Sequence, residues 1–258
     1  MNMRTTRSHA SRYNTSRGFS QGLWLVLVLF AIAIGGTTWV STGIVASERW
    51  PIRWLEVNGS FQRVSAEQLR SSLAPLVSAS FFTVNLQDLQ NAALRKPWVA
   101  AANVQKKWPD TVTVTVEEFV PLAHWNKGSL VSTRKNIFSA PDADGIQGLP
   151  WLYGPNGRLE QVLDQWELFN SMLGSAGLEV VVLELHERGS WSMQVSNGTQ
   201  VQLGRNNTVE RLERLMGGWR NLMKDQDLPP LSIDLRYTNG FAVRWPDEAA
   251  ALAGLEIR

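Results

Sequence analysis

Residues 18–47 form a run of thirty positions without a charge, and beyond it apolar residues recur at every second or every third to fourth position. Those two spacings are the signatures of strand and helix. The most apolar part of the run, residues 23–34, continues through Gly35-Gly36-Thr37-Thr38-Trp39-Val40 to Val45. A helix over residues 22–45 would be about 36 Å long, more than the roughly 30 Å of hydrocarbon in a bilayer. Arg4, Arg7, Arg12 and Arg17 are the only charges before the run, whereas Glu48 and Arg49 cancel behind it. The positive-inside bias therefore predicts a cytoplasmic tail at 1–21, a transmembrane helix at 22–45 and export of the remainder. Trp39, Trp50 and Trp54 flank the outer end, where an indole buries its ring and keeps its N–H near water. A cleaved signal peptide is the competing reading, with residues 23–34 as its apolar region and Val45-Ala46-Ser47 as the cleavage site. The 22-residue leader and the total uncharged length favour a retained span.

In the exported part, residues 52–57 alternate as a strand and end at Asn58-Gly59, a pair suited to a turn with positive φ. Ser65 precedes a helix with Leu69, Leu73 and Leu76 at helical spacing, ending near Pro75. A second short helix starts at Asn85 and halts before Pro97. Residues 98–108 read as a strand, Pro109-Asp110 as a turn, and residues 111–118 alternate Thr and Val at period two. Pro121 cannot donate to a continuing ladder and marks a boundary. Beyond it, residues 122–125 and 130–139 are candidate strands, and residues 141–157 read as a long turn-rich loop. Residues 159–173 carry one apolar helical stripe. Strands are expected at 178–185, 190–195 and 199–203, the last two joined through Asn197-Gly198. Thr208 is expected to cap a helix built on Val209, Leu212, Leu215, Met216 and Leu222, and residues 231–237 and 241–245 to form a final hairpin. The resulting class is a single transmembrane helix plus an α+β exported region, the second half mainly antiparallel.

Charge and composition then narrow the chemistry. All 23 acidic residues but only 21 of 25 basic ones follow residue 47, so the exported part carries −2 and shows no footprint for nucleic acid. No Cys is present, which excludes disulfides, Cys nucleophiles and Cys-based zinc sites. The three His stand at 9, 124 and 186, too scattered for a multi-His metal site, and a lone strand His is usually a hydrogen-bonded core residue. Gly-x-Ser-x-Gly and phosphate-cradling Gly-Lys-Ser/Thr patterns are missing. Glu117 with Glu118, or Glu184 with Glu187, are the nearest approach to paired carboxylates, and neighbouring strand residues point to opposite faces. No enzyme, cofactor, metal or small-molecule substrate is expected. An outer-membrane barrel is disfavoured, because about 137 residues after Pro121, interrupted by two helices, are too few for a closed barrel.

The order β-α-α-β-β over residues 50–120 resembles the POTRA module. The chain as a whole resembles the FtsQ/DivIB family of bitopic cell-division proteins. The likeness rests on Pro97-Trp98-Val99, Val104-Gln105-Lys106-Lys107-Trp108-Pro109-Asp110, Val120-Pro121 with Trp125, Leu149-Pro150-Trp151-Leu152-Tyr153-Gly154-Pro155, Leu203-Gly204-Arg205, and Asp234-Leu235-Arg236-Tyr237 leading to Val243 and Trp245. It implies a POTRA domain at 50–120, a β domain at 121–245 and a tail at 246–258. It further implies a non-catalytic inner-membrane scaffold, N-terminus cytoplasmic and C-terminus periplasmic, concentrated at the division septum. Such a scaffold would join FtsB and FtsL to early division proteins and help control septal peptidoglycan synthesis, with FtsK, FtsW and the septal synthase as further partners. An anchored or secreted POTRA-type protein of an outer-membrane assembly or secretion system is the alternative.

Period two puts Leu231, Ile233, Leu235 and Tyr237 on one face of the final hairpin, and Phe241, Val243 and Trp245 repeat the pattern. The last strand, followed by Pro246-Asp247-Glu248, is expected to be an open edge to which FtsB adds a strand. The resemblance assigns partner contact to Arg236, Tyr237, Gly240 and Trp245, and to Arg188 in the strand before Ser190-Trp191. Asn239 stands where the family more often has Ser. Tyr237 and Trp245 as plain core aromatics are the competing reading. In the POTRA region, Val104, Lys106 and Glu118 occupy positions implied in recruitment by FtsK and other division proteins, against a packing role for Val104 and solvated side chains at the other two.

Overall fold

The computed structural model of the chain describes residues 19–45, 50–78 and 80–246. The predicted tail arginines, Glu48, Arg49, the candidate cleavage site and the tail beyond Pro246 lie outside these. Helix α1 (Phe19–Val45) has 27 residues, and its apolar side chains from Leu23 to Trp39 are exposed. Among the described residues no helix is long and apolar enough to cross a membrane, the side chains of α1 being described only over residues 23–39. All three expected anchoring indoles are exposed, Trp39 at 72 %, Trp50 at 37 % and Trp54 at 66 %.

Two compact units are distinguished. The first comprises residues up to Asn58, Ala66–Ala92 and Asn103–Thr115. Here β1 (Trp54–Gly59), α2 (Ala66–Leu73, continued by a 3-10 turn to Val77), α3 (Leu86–Leu94), β2 (Val99–Lys107) and β3 (Thr111–Glu118) follow the expected β-α-α-β-β order. The sheet order is β1-β3-β2. Leu69, Leu73, Leu89, Val112 and Val114 are wholly buried, as their helical and alternating spacings require. Asn85 caps α3 by accepting the Gln87 N–H at 3.0 Å. The expected turn at Asn58-Gly59 is instead the end of β1. Gly59 is needed there for close approach, since a Cβ would lie 2.7 Å from the Val116 carbonyl oxygen.

The second unit adds residues 59–65 and 93–102 to everything from Val116 onward. Among the described residues its sheet has nine strands. They are β4 (Pro121–Trp125), β5 (Leu130–Ser132), β6 (Ile137–Phe138), β7 (Trp151–Tyr153), β8 (Val180–Leu185), β9 (Trp191–Val195), β10 (Gln200–Gly204), β11 (Ser232–Asp234) and β12 (Ala242–Arg244). Their order is β12-β11-β10-β9-β8-β7-β4-β5-β6. Helix α4 (Leu159–Leu173) lies between β7 and β8 in sequence, and α5 (Thr208–Leu222) between β10 and β11. Each helix carries the chain back to the end of the sheet where the preceding strand began, so β7–β8 and β10–β11 pair parallel, as does β4–β7. The sheet is therefore mixed but mainly antiparallel as expected, with five antiparallel pairings beside these three parallel ones; the two strand-helix-strand runs carried the signal of the parallel pairs.

Three local expectations change. Residues 130–139 form two strands, because Arg134-Lys135-Asn136 closes a tight turn with Lys135 at φ 62°. The supposed loop at 141–157 contains β7, whose three residues are too few to show a period although Leu152 is wholly buried between β4 and β8. Thr208 is the first helical residue of α5. Asn207, left-handed at φ 55°, precedes it and makes no side-chain cap bond.

The core packs α4 and α5 residues (Val162, Leu163, Phe169, Leu173, Leu212, Leu215) with the inward set of β8 to β11 (Leu183, Leu185, Met193, Val195, Val201, Leu203, Ile233, Leu235). The alternate residues build a polar ladder across the opposite face. Glu184 stands beside Ser192, Ser192 beside Gln202 and Gln202 beside Asp234.

Candidate partner-binding edge

Ser232↔Arg244, Ile233↔Val243 and Asp234↔Ala242 pair β11 with β12 in antiparallel register. Among the described residues β12 is the terminal strand of the sheet. Every second residue of such a strand turns its N–H and C=O away from its only neighbour. Phe241 and Val243 pack onto the core and Trp245 is half-buried, whereas Ala242 and Arg244 are exposed, so the expected alternation of β12 is present.

The partner strand behaves otherwise at its ends. Ile233 and Leu235 are buried, but Leu231 is 46 % and Tyr237 58 % exposed, the one lying before and the other beyond β11, which spans only Ser232–Asp234. Tyr237 is thus not a core aromatic. Arg236 and Asn239 are exposed in the same turn, and Gly240 has open space where a Cβ would stand. Arg188 lies in the β8–β9 turn rather than in a strand, followed by Gly189 at φ 81°. Topology puts it at the same end of the sheet as the hairpin turn: Trp191 pairs with Gly204 at the close of β10, and β11 runs parallel to β10. Trp245 stands at the opposite end of β12.

Two arginines of α5 hold this turn. The Nη1–H of Arg211 donates to the Leu203 carbonyl at 2.6 Å and its Nη2–H to that of Arg236 at 3.3 Å. From one helical turn further, Arg214 donates to the Tyr237 and Gly240 carbonyls at 3.3 and 3.4 Å. Gly204, at φ 78°, leaves the room for this, since a Cβ would come within 2.6 Å of Arg211 Nη1 and 3.1 Å of Arg236 Cγ. Asp234 completes the arrangement by accepting from Arg236 Nη2–H at 2.7 Å, Nε–H at 2.9 Å and its backbone N–H at 3.0 Å. The Arg236 guanidinium accordingly holds the Asp234 carboxyl below its ordinary value, against a smaller opposing effect of burial, and Asp234 raises Arg236 in turn. Arg211, Arg214 and Asp234 were not foreseen. An i, i+3 pair of arginines on an amphipathic helix reads as solvated charge until the turn they reach is placed.

The residues expected to bind through the POTRA region divide between the units. Val104 and Lys106 share one face of β2, an edge of the three-stranded sheet, with both side chains half-buried. The Lys106 Nζ donates to the Phe82 carbonyl at 3.4 Å and lies 5.6 Å from the Phe81 ring centroid. Glu118 accepts backbone N–H groups from Gln62, Arg63 and Val64 at 3.2, 3.1 and 2.9 Å, so its carboxylate closes the 62–64 loop.

Both folded-region histidines make hydrogen bonds. His124 is wholly buried, stacked on Trp151 at 3.9 Å, with Nε2 3.0 Å from the Ile146 carbonyl and Nδ1 without a partner. His186 lies just past β8, its Nδ1 3.0 Å from Glu184 Oε1 and its Nε2 3.0 Å from Ser192 Oγ. The last three have the order of a nucleophilic triad. They stand on the polar ladder, with the side chains of His186 and Glu184 more than 40 % exposed. Among the described residues no group of three or more His, Asp or Glu is placed to hold a metal ion.

Fold and edge define a POTRA-containing α+β protein. Residues 50–119 match the family model "POTRA domain, FtsQ-type" and residues 123–236 match "Cell division protein FtsQ/DivIB, C-terminal". The chain is 39 % identical over 221 residues to the cell division protein FtsQ of Xanthomonas campestris pv. campestris, covering 85 % of this chain and 78 % of that one. It is 30 % identical to those of Allochromatium vinosum and Coxiella burnetii, over 89 % and 91 % of this chain and 96 % and 98 % of theirs. The chain belongs to the FtsQ/DivIB family of cell division proteins.

Proposed function

We propose that the chain is a non-catalytic, bitopic scaffold of the division machinery that captures FtsB by strand addition at β12. The observation that carries this reading is the position of β12 at the end of the sheet, beside a turn held by two arginines and carrying the exposed Tyr237. Unpaired main-chain groups supply affinity, and the alternating side chains of β12 with Arg236 and Tyr237 supply selectivity. A rigid turn lowers the ordering cost of association. Val104 and Lys106, on the edge strand β2, are the proposed contacts for FtsK, and FtsL, FtsW and the septal synthase are reached through the assembly.

Helix α1 is the proposed membrane span, with residues 1–21 cytoplasmic, a POTRA domain at 50–120, a β domain at 121–245 and the tail at 246–258 in the periplasm. All 27 residues of α1 are uncharged, and at 1.5 Å per residue it is about 40 Å long. Its exposed Leu, Ile, Phe and Val side chains are at home in lipid and unfavourable in water. The location that follows is the inner membrane at the septum.

The test is capture of an FtsB periplasmic segment by the full-length chain in detergent. Tyr237→Ala and Trp245→Ala each abolish capture while the melting curve stays close to that of the unsubstituted chain. Undiminished capture by both variants would refute the proposed site.

A further inference from the structure

We infer that the first unit rests on the bilayer surface through a facet formed by Trp50 and Phe82, with Lys106 at its rim. The inference rests on α1 spanning the membrane, and it adds that the folded unit itself touches lipid. Trp50 and Phe82 are 37 % and 45 % exposed and meet edge to face at 5.9 Å. Phe81, buried, supports Phe82 at 5.6 Å and lies beneath the Lys106 ammonium. The facet is built rather than incidental: the Phe81 N–H donates to the Trp50 carbonyl at 2.9 Å, and Pro51 bridges Ser80, so the start of the unit is stapled to the turn that carries Phe82.

Chain length fixes where this facet can be. Five Cα steps separate Val45, the last residue of α1, from Trp50, and fully extended they span at most about 18 Å. With α1 across the hydrocarbon, Trp50 and the turn bonded to it are confined to the neighbourhood of the headgroup layer, which is about 5–7 Å deep on each side. Indole and phenyl rings favour that layer, and an ammonium beside them meets lipid phosphate. Any of the exposed aromatics could tolerate water singly; a paired, stapled set next to the span, with a cation at its rim, fits a lipid surface.

The chain has no Cys, so single-site labelling needs no prior substitution. Full-length Thr83→Cys, Thr115→Cys and Ala33→Cys are each labelled with an environment-sensitive fluorophore. They are reconstituted into vesicles of phosphatidylethanolamine and phosphatidylglycerol, with and without lipids brominated near the headgroup, which report on 83 and 115, or near the end of the acyl chain, which report on 33. Thr83 adjoins Phe82, Thr115 is an exposed residue of β3, and Ala33 lies within α1. The expected result is quenching at 83 several-fold stronger than at 115, lost when Trp50→Ser and Phe82→Ser are combined. Quenching at 33 with none at 83 would overturn the facet, leave the span standing, and assign the exposed rings to a protein neighbour. Absence of quenching at 33 would overturn the span and the inference with it.

Discussion

Replacing Gly204 by Ala perturbs the fold and the proposed edge through one added carbon. At φ 78° an L-residue carries a backbone penalty of about 1–2 kcal/mol. The new Cβ would also sit 2.6 Å from Arg211 Nη1, so the guanidinium must leave the Leu203 carbonyl it now reaches at 2.6 Å. Loss of that charged hydrogen bond, discounted for a half-exposed side chain, adds about 1–2 kcal/mol. The sum, about 2–4 kcal/mol, lowers the melting temperature by roughly 5–15 °C for a body of this size. Thermal unfolding of the full-length chain in detergent, followed by near-ultraviolet circular dichroism of its Trp residues, reads the shift. Arg211→Met removes the guanidinium without the strain and should account for the hydrogen-bond part alone. The double variant should then fall short of the sum of the two, because the clashing atom is gone. Gly204→Ala melting at the temperature of the unsubstituted chain would refute the reasoning.

Further outcomes follow from other contacts. Leu152→Ala, in a wholly buried position of β7, should lower stability by about 2–5 kcal/mol in urea titration; a change within error would mean that β7 is not a core strand. Glu118→Gln keeps shape but removes the charge that gathers three backbone N–H groups, and should cost about 1–2 kcal/mol with faster amide exchange at residues 62–64. Asp234, depressed by Arg236, contributes stability above its ordinary value of 3.8 that is lost as pH falls through its lower folded value. Asp234→Asn should therefore unfold at lower urea than the unsubstituted chain at neutral pH, with the two midpoints converging below pH 3.8. A gap that persists in acid would assign the effect to something other than the ion pair.

Sequence patterns located most elements because burial imposes a period: α4 spans residues 159–173 as its apolar stripe predicts, and the Thr-Val alternation of β3 is that of a strand covered on one side. What stayed hidden depended on tertiary context. Three residues between Pro150 and Gly154 cannot display a period, so β7 showed only as punctuation. Parallel pairing of β10 with β11 follows from α5 returning the chain across the core, which residue identities alone do not state. At the site, Asn239 and Gly240 lie in the turn between β11 and β12 as expected, and Arg236 and Tyr237, expected in the strand, fall in that connection because β11 stops at Asp234. The side chains that hold that turn come from a helix more than twenty residues earlier, and nothing in the local pattern joins Arg211 or Arg214 to it.

Amide hydrogen exchange of the full-length chain, with and without an FtsB periplasmic segment, addresses the docking edge directly. Added backbone bonds should slow exchange across Ala242–Arg244 several-fold while leaving β6, the opposite end of the sheet, unchanged. Binding of FtsB that leaves the β12 amides exchanging as before would contradict strand addition at this edge.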